Sequence, residues 1–338
     1  MPFEKRRLGE TKLEVTTLGL GCASLGGNMA AVAEADARAT ITAALDAGIE
    51  YVDTAPFYGF GKSERLVGDG VRARRESMIL STKVGRLLAP QFGPYATPNS
   101  WVDPLPFVDV FDYSYDAIMR SFEDSLQRLG VNRVDILYVH DIGEATHGKA
   151  RNAELWDQLS RQGGYKALRE LRDGGTVSAI GLGVNEWEVL MDAFELGDWD
   201  AFLLAGRYTL LEQTSLSPFL ETCIARKASV VVGGPFNSGI LVGGDTWNYG
   251  KAPEEIVRKV GIIQSVCADF GVAMPAAALK FPLTHSAVAS VIPGPRTPTE
   301  LQQILDWWAV DIPDGVWDAM ADKGLFAPGT PLPSGKTV

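Results

Sequence analysis

The chain has 338 residues, of which 46% are hydrophobic and 22% are charged, so it can bury a large core and is neither disordered nor fibrous. Its formal net charge of −11 repels phosphate backbones and anionic lipids, which argues against nucleic acid and membrane partners. Cys22, Cys223 and Cys267 lie far apart without a CxxC pair, so we expect neither disulfides nor a metal. The charged start MPFEKRRLGE and the short apolar runs predict no secretory leader and no membrane span, which favours a cytoplasmic location.

Short apolar runs alternate with longer segments of helical period through the first half of the chain, which is typical of βαβ units. Apolar residues on one stripe and Gly130 as a stop signal predict a helix that ends at Leu129. The predicted strands are Thr17–Cys22, Ile49–Asp53, Ser77–Val84 and Val134–His140, and the predicted helices are Ala35–Ala47, Lys62–Arg74, Ser114–Leu129 and Tyr165–Arg172.

The alternation continues to the end of the chain. The predicted strands are Val177–Val184, Asp200–Leu204, Ser229–Gly233 and Val288–Ile292, and the predicted helices are Glu186–Leu196, Ser217–Lys227, Glu254–Phe270, Pro298–Trp308 and the additional Asp314–Lys323. Eight strands, each followed by a helix, predict a single-domain (β/α)₈ barrel over residues 1–338. The residues before Thr17, including Leu13–Val15, are expected to form a hairpin that covers the bottom of the barrel.

One stretch, Arg86–Tyr113, departs from this alternation. It contains five prolines and several aromatic residues, which predicts a long loop without regular structure after the third strand. Long loops inside compact domains are often functional, and aromatic side chains supply apolar walls for a ligand. A packed surface excursion is the equally weighted alternative.

Four residues lie at or just beyond the ends of predicted strands: Asp53, Tyr58, Lys83 and His140, here called the quartet. Taken singly, each has an ordinary explanation, such as a capping carboxylate, a surface aromatic, a solvated ammonium or a core histidine. In a barrel, however, the carboxyl ends of the strands meet at one mouth. The sequence therefore predicts that a carboxylate, a phenol, an ammonium and an imidazole share one pocket.

The motifs DTAPFYG, STK and LYVHD, which contain the quartet, resemble those of the aldo-keto reductases over nearly the whole chain. The resemblance implies that Tyr58 is the proton donor or acceptor, that Lys83 and Asp53 tune it, and that His140 orients the substrate oxygen. A free phenol has a pKa of about 10, so we expect the Lys83 ammonium to lower the pKa of Tyr58.

The same resemblance implies an extended nicotinamide dinucleotide, NAD or NADP, bound without a Rossmann fingerprint. Asn185 matches the residue that binds the nicotinamide carboxamide, whereas Val184, Ala205 and Gly233 stand where the family often has serine, glutamine and a stacking aromatic. Phe236 is the candidate replacement for that aromatic. The predicted cofactor residues are Gly21, Cys22, Asp53, Asn185, Gly234, Pro235, Phe236, Gly239, Leu241, Gly294, Arg296, Glu300 and Gln303.

The adenosine end of this predicted site bears on the choice of nucleotide. GGPFNSGIL resembles a pyrophosphate loop, and IPGPRTPTELQQ resembles the adenosine segment. Glu300 would repel a 2′-phosphate, which favours NAD. Arg296 offers a bidentate phosphate contact, which leaves NADP open.

Within the family, FDYSYDAI, YVHDIGEATHG and GLGVNEWEV resemble dehydrogenases that oxidise cyclic hemiacetals to lactones. These are aldose 1-dehydrogenases acting on L-fucose-like sugars and, as an alternative, pyridoxal 4-dehydrogenases. The candidate substrate residues are Phe57, Trp101, Phe107, His147 and Trp187. The sequence also leaves open an NADPH-dependent carbonyl or aldehyde reductase and a non-catalytic regulatory subunit.

Overall fold

Eight parallel strands form the central sheet of the computed structural model, which describes residues 3–92 and 101–338. In the described part of the chain the strands are β1 Lys5–Arg7, β2 Glu14–Thr16, β3 Leu20–Gly21, β4 Tyr51–Asp53, β5 Ile79–Val84, β6 Arg86–Pro90, β7 Phe107–Phe111, β8 Ile136–His140, β9 Ala179–Val184, β10 Ala201–Ala205, β11 Ser229–Gly233, β12 Thr246–Trp247, β13 Gly250–Lys251 and β14 Val288–Ile292. The order of strands in the central sheet is β14-β11-β10-β9-β8-β5-β4-β3.

The two edges of this sheet meet and close the barrel. Leu18, just before β3, forms a parallel bridge with Val291 on β14. The amide of Gly19 donates to the carbonyl oxygen of Val291 at 2.9 Å. The amide of Val291 in turn donates to the carbonyl oxygen of Thr17 at 2.9 Å. Closure leaves the eight strands without a free edge and places their carboxyl ends on one rim.

Helices surround the barrel, so the predicted (β/α)₈ architecture is confirmed. The described helices are α1 Glu34–Asp46, α2 Lys62–Val71, α3 Tyr115–Leu129, α4 Glu144–Ser160, α5 Gly164–Asp173, α6 Glu188–Leu196, α7 Glu221–Arg226, α8 Glu254–Asp269, α9 Met274–Lys280, α10 Pro298–Trp308 and α11 Asp314–Asp322. As predicted, α3 ends where Gly130 adopts a left-handed conformation, with φ of 63°.

The N-terminal hairpin covers the bottom of the barrel. Strands β1 and β2 pair antiparallel, and the fully buried Leu8 and Val15 join the barrel-interior cluster with Tyr51 and Tyr138. Tyr51 stands at the start of β4, so this contact lies at the amino ends of the strands. The predicted hairpin is therefore present on the face opposite the quartet.

A glycine determines how closely α2 and α3 pack. A Cβ at Gly68 in α2 would lie 1.9 Å from the carbonyl oxygen of Leu129 at the end of α3. Glycine weakens an isolated helix, yet only glycine permits this approach of two backbones. Burial of Leu66, Val67 and Val71 stabilises the helix in compensation.

Two helices of the structure, α4 and α9, were not among the predicted elements, because neither has a clear helical period of apolar residues in its sequence. Gly148 has non-helical angles inside α4, and that helix buries Leu155 and Leu159 as its main apolar contact. In α9, Met274 and most of the residues after it are buried, so no polar face marks a helical period. The predicted helix Ser217–Lys227 is also shorter in the structure, where Ser217 is extended and regular helix covers only Glu221–Arg226.

The prediction that Arg86–Tyr113 lacks regular structure is wrong for the described part of that segment. Strands β6 and β7 pair antiparallel over five residues, from Arg86 opposite Phe111 to Pro90 opposite Phe107. Pro90 is tolerated because it ends its strand, and a two-stranded sheet consists only of edges. Residues 93–100 lie outside the described part of the chain.

Candidate functional site

The structure brings the predicted quartet together on one rim of the barrel. Asp53 ends β4, Lys83 lies one residue before the end of β5, and His140 ends β8. The Nζ atom of Lys83 lies 2.7 Å from Oδ2 of Asp53 and 4.6 Å from the ring centre of Tyr58. The ring centres of Tyr58 and His140 are 5.7 Å apart.

The ion pair within the quartet is buried, and each of its two charged groups has a further hydrogen bond. The side chains of Lys83 and Asp53 are 1% and 2% exposed. Ser81 donates to Oδ1 of Asp53 at 2.7 Å, and the carbonyl oxygen of Thr54 accepts from Nζ of Lys83 at 2.9 Å. These hydrogen bonds stabilise the two charges. Burying the same charges without such partners would cost free energy.

The pKa of Tyr58 is shifted in the direction opposite to the one expected from the sequence. Burial raises the pKa of Tyr58 well above its usual value, and the negative charges of Asp53 and Asp141 raise it further. The Lys83 ammonium lies 4.6 Å from the ring centre and is itself paired with Asp53, so its opposing effect on the pKa of Tyr58 is smaller than that of burial. Tyr58 is therefore a neutral phenol in the free site, ready to donate a proton.

His140 is a neutral imidazole. Burial lowers the pKa of His140 well below its usual value, and the positive charges of Lys83 and Arg86 lower it further. Tyr113 donates its hydroxyl hydrogen to the backbone carbonyl of His140 at 2.6 Å, which holds the end of β8 in place. A neutral imidazole carries one N–H and can donate it to an oxygen where negative charge develops.

A cavity of about 440 Å³ opens beside the quartet. It reaches from Asp53 and Tyr58 to Gln303 and Trp307 on α10. The predicted cofactor residues that line it are Gly21, Cys22, Asp53, Asn185, Gly234, Pro235, Phe236, Gly239, Gly294, Arg296, Glu300 and Gln303. Leu241 is not among the lining residues, because it is fully buried in the core between barrel and helices.

The residues present in this cavity fit a dinucleotide. The Nε atom of Arg296 is buried and has no hydrogen-bond partner within the described ranges, so a donor is available for a ribose or phosphate oxygen. Phe236 packs edge-on against Trp307 with ring centres 5.9 Å apart. Phe236 therefore sits beside α10 in the cavity lining, and its stacking on the nicotinamide ring stays a prediction.

A short hairpin crosses the mouth of the cavity, and the sequence interpretation missed it. Its strands β12 and β13 carry Asn248 and Tyr249 at the turn, both with positive φ. The indole of Trp247 donates to Glu212 at 2.7 Å, and Arg207 donates to Oδ1 of Asn248 at 2.9 Å. The only local signal was the turn-like sequence WNYG, which says nothing about what the turn faces.

Tyr249 brings a second phenol to Asn185, the predicted carboxamide-binding residue. Its hydroxyl donates to Oδ1 of Asn185 at 3.3 Å, although the side chain as a whole is more than half exposed. Ser238 accepts from the backbone amide of Tyr249 at 3.0 Å and holds the turn over the cavity. Tyr249, Ser238 and Asn28 all line the cavity but escaped prediction, since they lie outside the predicted strands and helices.

Two of the five candidate substrate residues stand next to the quartet. The ring of Phe57 lies 5.2 Å from that of Trp101 and 6.2 Å from that of His140, measured between centres. Trp101 also lies 6.0 Å from Tyr58. The guanidinium of Arg86 stacks on Phe57 at 3.2 Å, so this ring beside the quartet rests on a buried cation.

The other three candidate substrate residues have no described ring contact with the quartet, and none of the five is among the residues that line the cavity. His147 packs against Phe111 of the β6–β7 hairpin, with ring centres 4.4 Å apart. Phe107 is at the far end of the same hairpin, opposite Pro90. Trp187 precedes α6 and packs on the hydrophobic core.

The described residues contain no candidate metal centre and no single helix that could span a membrane. No group of three or more His, Cys, Asp or Glu side chains in residues 3–92 and 101–338 is placed to hold a metal ion. In the same ranges no single helix is long and apolar enough to span a membrane, although α8 and the bent segment Met274–Thr284 pass that test when taken together.

The barrel, the quartet and the adjoining cavity define an oxidoreductase that acts on CH–OH or carbonyl groups. The sequence profile described as "Aldo/keto reductase family" matches residues 17–324. The chain therefore belongs to the aldo/keto reductase family, whose enzymes use NAD(P)(H). The family resemblance inferred from the motifs is confirmed.

Two characterised relatives cover almost the whole chain. A pyridoxal 4-dehydrogenase of Microbacterium luteolum is 46% identical over 96% of this chain and 98% of its own length. A D-threo-aldose 1-dehydrogenase of a Pseudomonas species is 35% identical over 93% of this chain and 95% of its own. The chain is thus similar to two dehydrogenases, as the sequence analysis expected.

Solved structures share the fold. An aldo-keto reductase of Bacillus halodurans superposes with a TM-score of 0.74 at 23% identity, covering 96% of this chain and 97% of its own. The glycerol dehydrogenase of Gluconobacter oxydans gives a TM-score of 0.72 at 22% identity, covering 97% and 98%. At these identities the likeness supports the barrel architecture alone.

Proposed function

We propose that this protein oxidises a cyclic hemiacetal to a lactone, with NAD as the hydride acceptor. The observation that carries the proposal is the assembled quartet, in which Tyr58 lies against Lys83 and His140 at the wall of the cavity. Aldoses and pyridoxal both carry an aldehyde within reach of a hydroxyl, so both cyclise to hemiacetals. The similarity to a pyridoxal and an aldose dehydrogenase supports this substrate class.

Pyridoxal is our first choice of substrate. Phe57 and Trp101 pack beside Tyr58, and this aromatic cluster next to the cavity lining suits a flat heteroaromatic ring. The 46% identical relative is a pyridoxal 4-dehydrogenase, which supports the same choice. An L-fucose-like aldose, favoured first by the sequence motifs, remains the alternative that the 35% identical relative supports.

In the proposed mechanism each residue of the quartet has a separate role. Bound NAD would accept the electron pair of the C–H bond as hydride. Tyr58, as phenolate, takes the proton of the hemiacetal hydroxyl, so the oxygen's bonding pair forms the new C=O bond. His140 donates a hydrogen bond to that oxygen and stabilises the developing charge. Lys83 favours the phenolate, and Asp53 holds the ammonium in place.

NAD rather than NADP is proposed from the adenosine end of the cavity. The Glu300 carboxylate accepts from the backbone amide of Arg296 at 2.7 Å and lies 3.9 Å from its guanidinium. The charge of Arg296 is thus partly neutralised before any nucleotide arrives. A 2′-phosphate placed here would meet the carboxylate of Glu300, and like charges repel.

The reverse reaction, reduction of an aldehyde or ketone, is the second candidate. Since burial raises the pKa of Tyr58, the free site holds a neutral phenol, which is the form that donates a proton to a carbonyl oxygen. The quartet serves both directions. A regulatory subunit is less favoured, because a binding protein has no need of a complete acid–base site. The small-molecule substrate and the cytoplasmic location remain predictions.

The test is a substrate panel followed by the absorbance of reduced cofactor. The purified protein is incubated with NAD or NADP and with pyridoxal, L-fucose or D-arabinose, and the lactone is identified by mass spectrometry. Tyr58→Phe removes the transferable proton and should lower kcat by about 10² or more while dinucleotide binding persists. Unchanged turnover in that variant would refute the assignment of Tyr58.

A further inference from the structure

Asp141, the residue after His140, has an unusual backbone and a buried carboxylate. Its φ is 53°, in the left-handed region that aspartate and asparagine tolerate better than most residues. Its amide donates to the carbonyl of Gly183 on β9 at 2.9 Å. The side chain is 14% exposed, so its charge needs partners within the protein.

The Asp141 carboxylate touches three functional groups. Oδ2 accepts from Nη1 of Arg86 at 2.6 Å and lies 3.5 Å from Nε2 of His140. Oδ1 accepts from Nδ2 of Asn185 at 3.3 Å. One side chain thus contacts the imidazole, the predicted carboxamide-binding amide, and the guanidinium that stacks on Phe57.

The contact with Asn185 sets which end of its amide faces the cofactor. An ionised carboxylate only accepts hydrogen bonds, so it must face the NH₂ group of Asn185. Oδ1 of Asn185 then points away from Asp141, where the hydroxyl of Tyr249 reaches it at 3.3 Å. An acceptor in this position suits the NH₂ group of a nicotinamide carboxamide.

The contact with His140 bears on its tautomer. A neutral imidazole has its proton on one nitrogen, and a nearby negative charge favours the nitrogen closest to it. Oδ2 of Asp141 lies 3.5 Å from Nε2, whereas Nδ1 has no hydrogen-bond partner among the described residues. The charge of Asp141 therefore favours the Nε2–H tautomer of His140.

We propose that Asp141 is a positioning residue that orients the Asn185 amide toward the nicotinamide and keeps the His140 proton on Nε2. The inference rests on the proposed use of a dinucleotide, and it adds a residue to which neither the quartet nor the cofactor segments assigned a role.

The test compares Asp141→Asn with Asp109→Asn. Asparagine keeps the left-handed backbone and the volume but removes the charge. Asp109 is the matched control because it also pairs with Arg86, at 2.6 Å, but on strand β7 of the hairpin. Binding of NAD and of its nicotinamide-free fragment ADP-ribose is titrated by tryptophan fluorescence, with NADP and its 2′-phosphorylated fragment as the alternative pair.

The expected result is selective. Asp141→Asn should weaken the dinucleotide about tenfold and the fragment less than about twofold, since a misoriented amide affects only the nicotinamide end. Asp109→Asn should leave the ratio of the two dissociation constants unchanged. Equal weakening of both ligands by Asp141→Asn, or the same selective loss in the control, would overturn the inference. If the wild type binds neither dinucleotide, the proposed function itself fails.

Two further measurements guard against a variant that does not fold. Asp141→Gly removes the carboxylate and adopts positive φ without strain, and it should show the same selective loss. The chain has only three histidines, so ¹⁵N NMR of the wild-type protein can assign the His140 tautomer. Protonation on Nδ1 would refute the second half of the proposal without any mutation.

Discussion

Breaking the Asp53–Lys83 ion pair from either side should destabilise the protein and abolish turnover. The two side chains are 1% and 2% exposed and their charged atoms are 2.7 Å apart. Lys83→Met leaves the carboxylate with the hydroxyl of Ser81, and Asp53→Asn leaves the ammonium with the carbonyl of Thr54. An uncompensated buried charge of this kind costs about 3–5 kcal/mol of the free energy of unfolding.

The double variant Asp53→Asn/Lys83→Met measures how strongly the two charges depend on each other. With both charges removed, no uncompensated charge remains, so the loss should be smaller than the sum of the single losses by at least about 1 kcal/mol. Activity should not recover, because Tyr58 then lacks the neighbouring cation. If the double variant regains stability but not turnover, the ion pair contributes both to the stability of the fold and to catalysis.

The pH dependence of the Lys83→Met variant gives a second signature. Burial already raises the pKa of Asp53, and Lys83 opposes that shift, so loss of the ammonium should raise the pKa further. A group whose pKa is higher in the folded than in the unfolded protein stabilises at acidic pH and loses that contribution as the pH rises. The variant should therefore be least destabilised near about pH 5 and most destabilised near about pH 8.

Urea midpoints from far-UV circular dichroism, at several pH values, measure these effects. Lys62→Met is the control, because Lys62 is also buried but contacts the carbonyl oxygen of Asp103 at 3.4 Å, and no carboxylate of the described residues pairs with it. Loss of less than about 1 kcal/mol in both single variants of the ion pair, or a loss no larger than in the control, would refute the reasoning.

Three other predictions follow from single contacts. Because burial raises the pKa of Tyr58, kcat/KM for oxidation should rise by up to about tenfold per pH unit between about pH 7 and 10, and a flat profile would contradict the assignment. Glu300→Gln should lower the dissociation constant of NADP relative to that of NAD by about tenfold, as measured by fluorescence titration. Gly68→Ala should cost about 2 kcal/mol or more in urea unfolding because of the 1.9 Å approach to Leu129, whereas Gly261→Ala, whose Cβ meets nothing within 4 Å, should not.

The order of strands and helices was readable from the sequence where burial leaves a recognisable pattern: a continuous apolar run for a barrel strand, or an apolar stripe for a helix with one exposed face. Strands β11 and β14 match their predicted bounds, because continuous β-branched runs end at glycine, proline or polar loops. The helices α4 and α9 were not readable, since one is mostly exposed and interrupted at Gly148 and the other is buried on nearly all sides. Hydrophobic periodicity needs a two-sided environment to appear.

Some residues of the site could likewise be predicted from the sequence and others could not. The quartet was predictable because each member lies near the end of a strand or just follows one, and a closed barrel brings those ends together. Tyr249 and Asp141 were not, because their importance depends on a turn that crosses the mouth and on a buried carboxylate that reaches three partners. No spacing in the sequence encodes those contacts.

By itself the sequence determined the barrel, the family and the four groups placed at the mouth, since local patterning and motif order specify them. Only the tertiary structure decided that Tyr58 is held as a neutral phenol, that β6 and β7 pair beyond the third barrel strand, and that Asp141 links Asn185 to His140. These features depend on burial and on charges brought together from distant parts of the chain, and neither property exists before the chain folds.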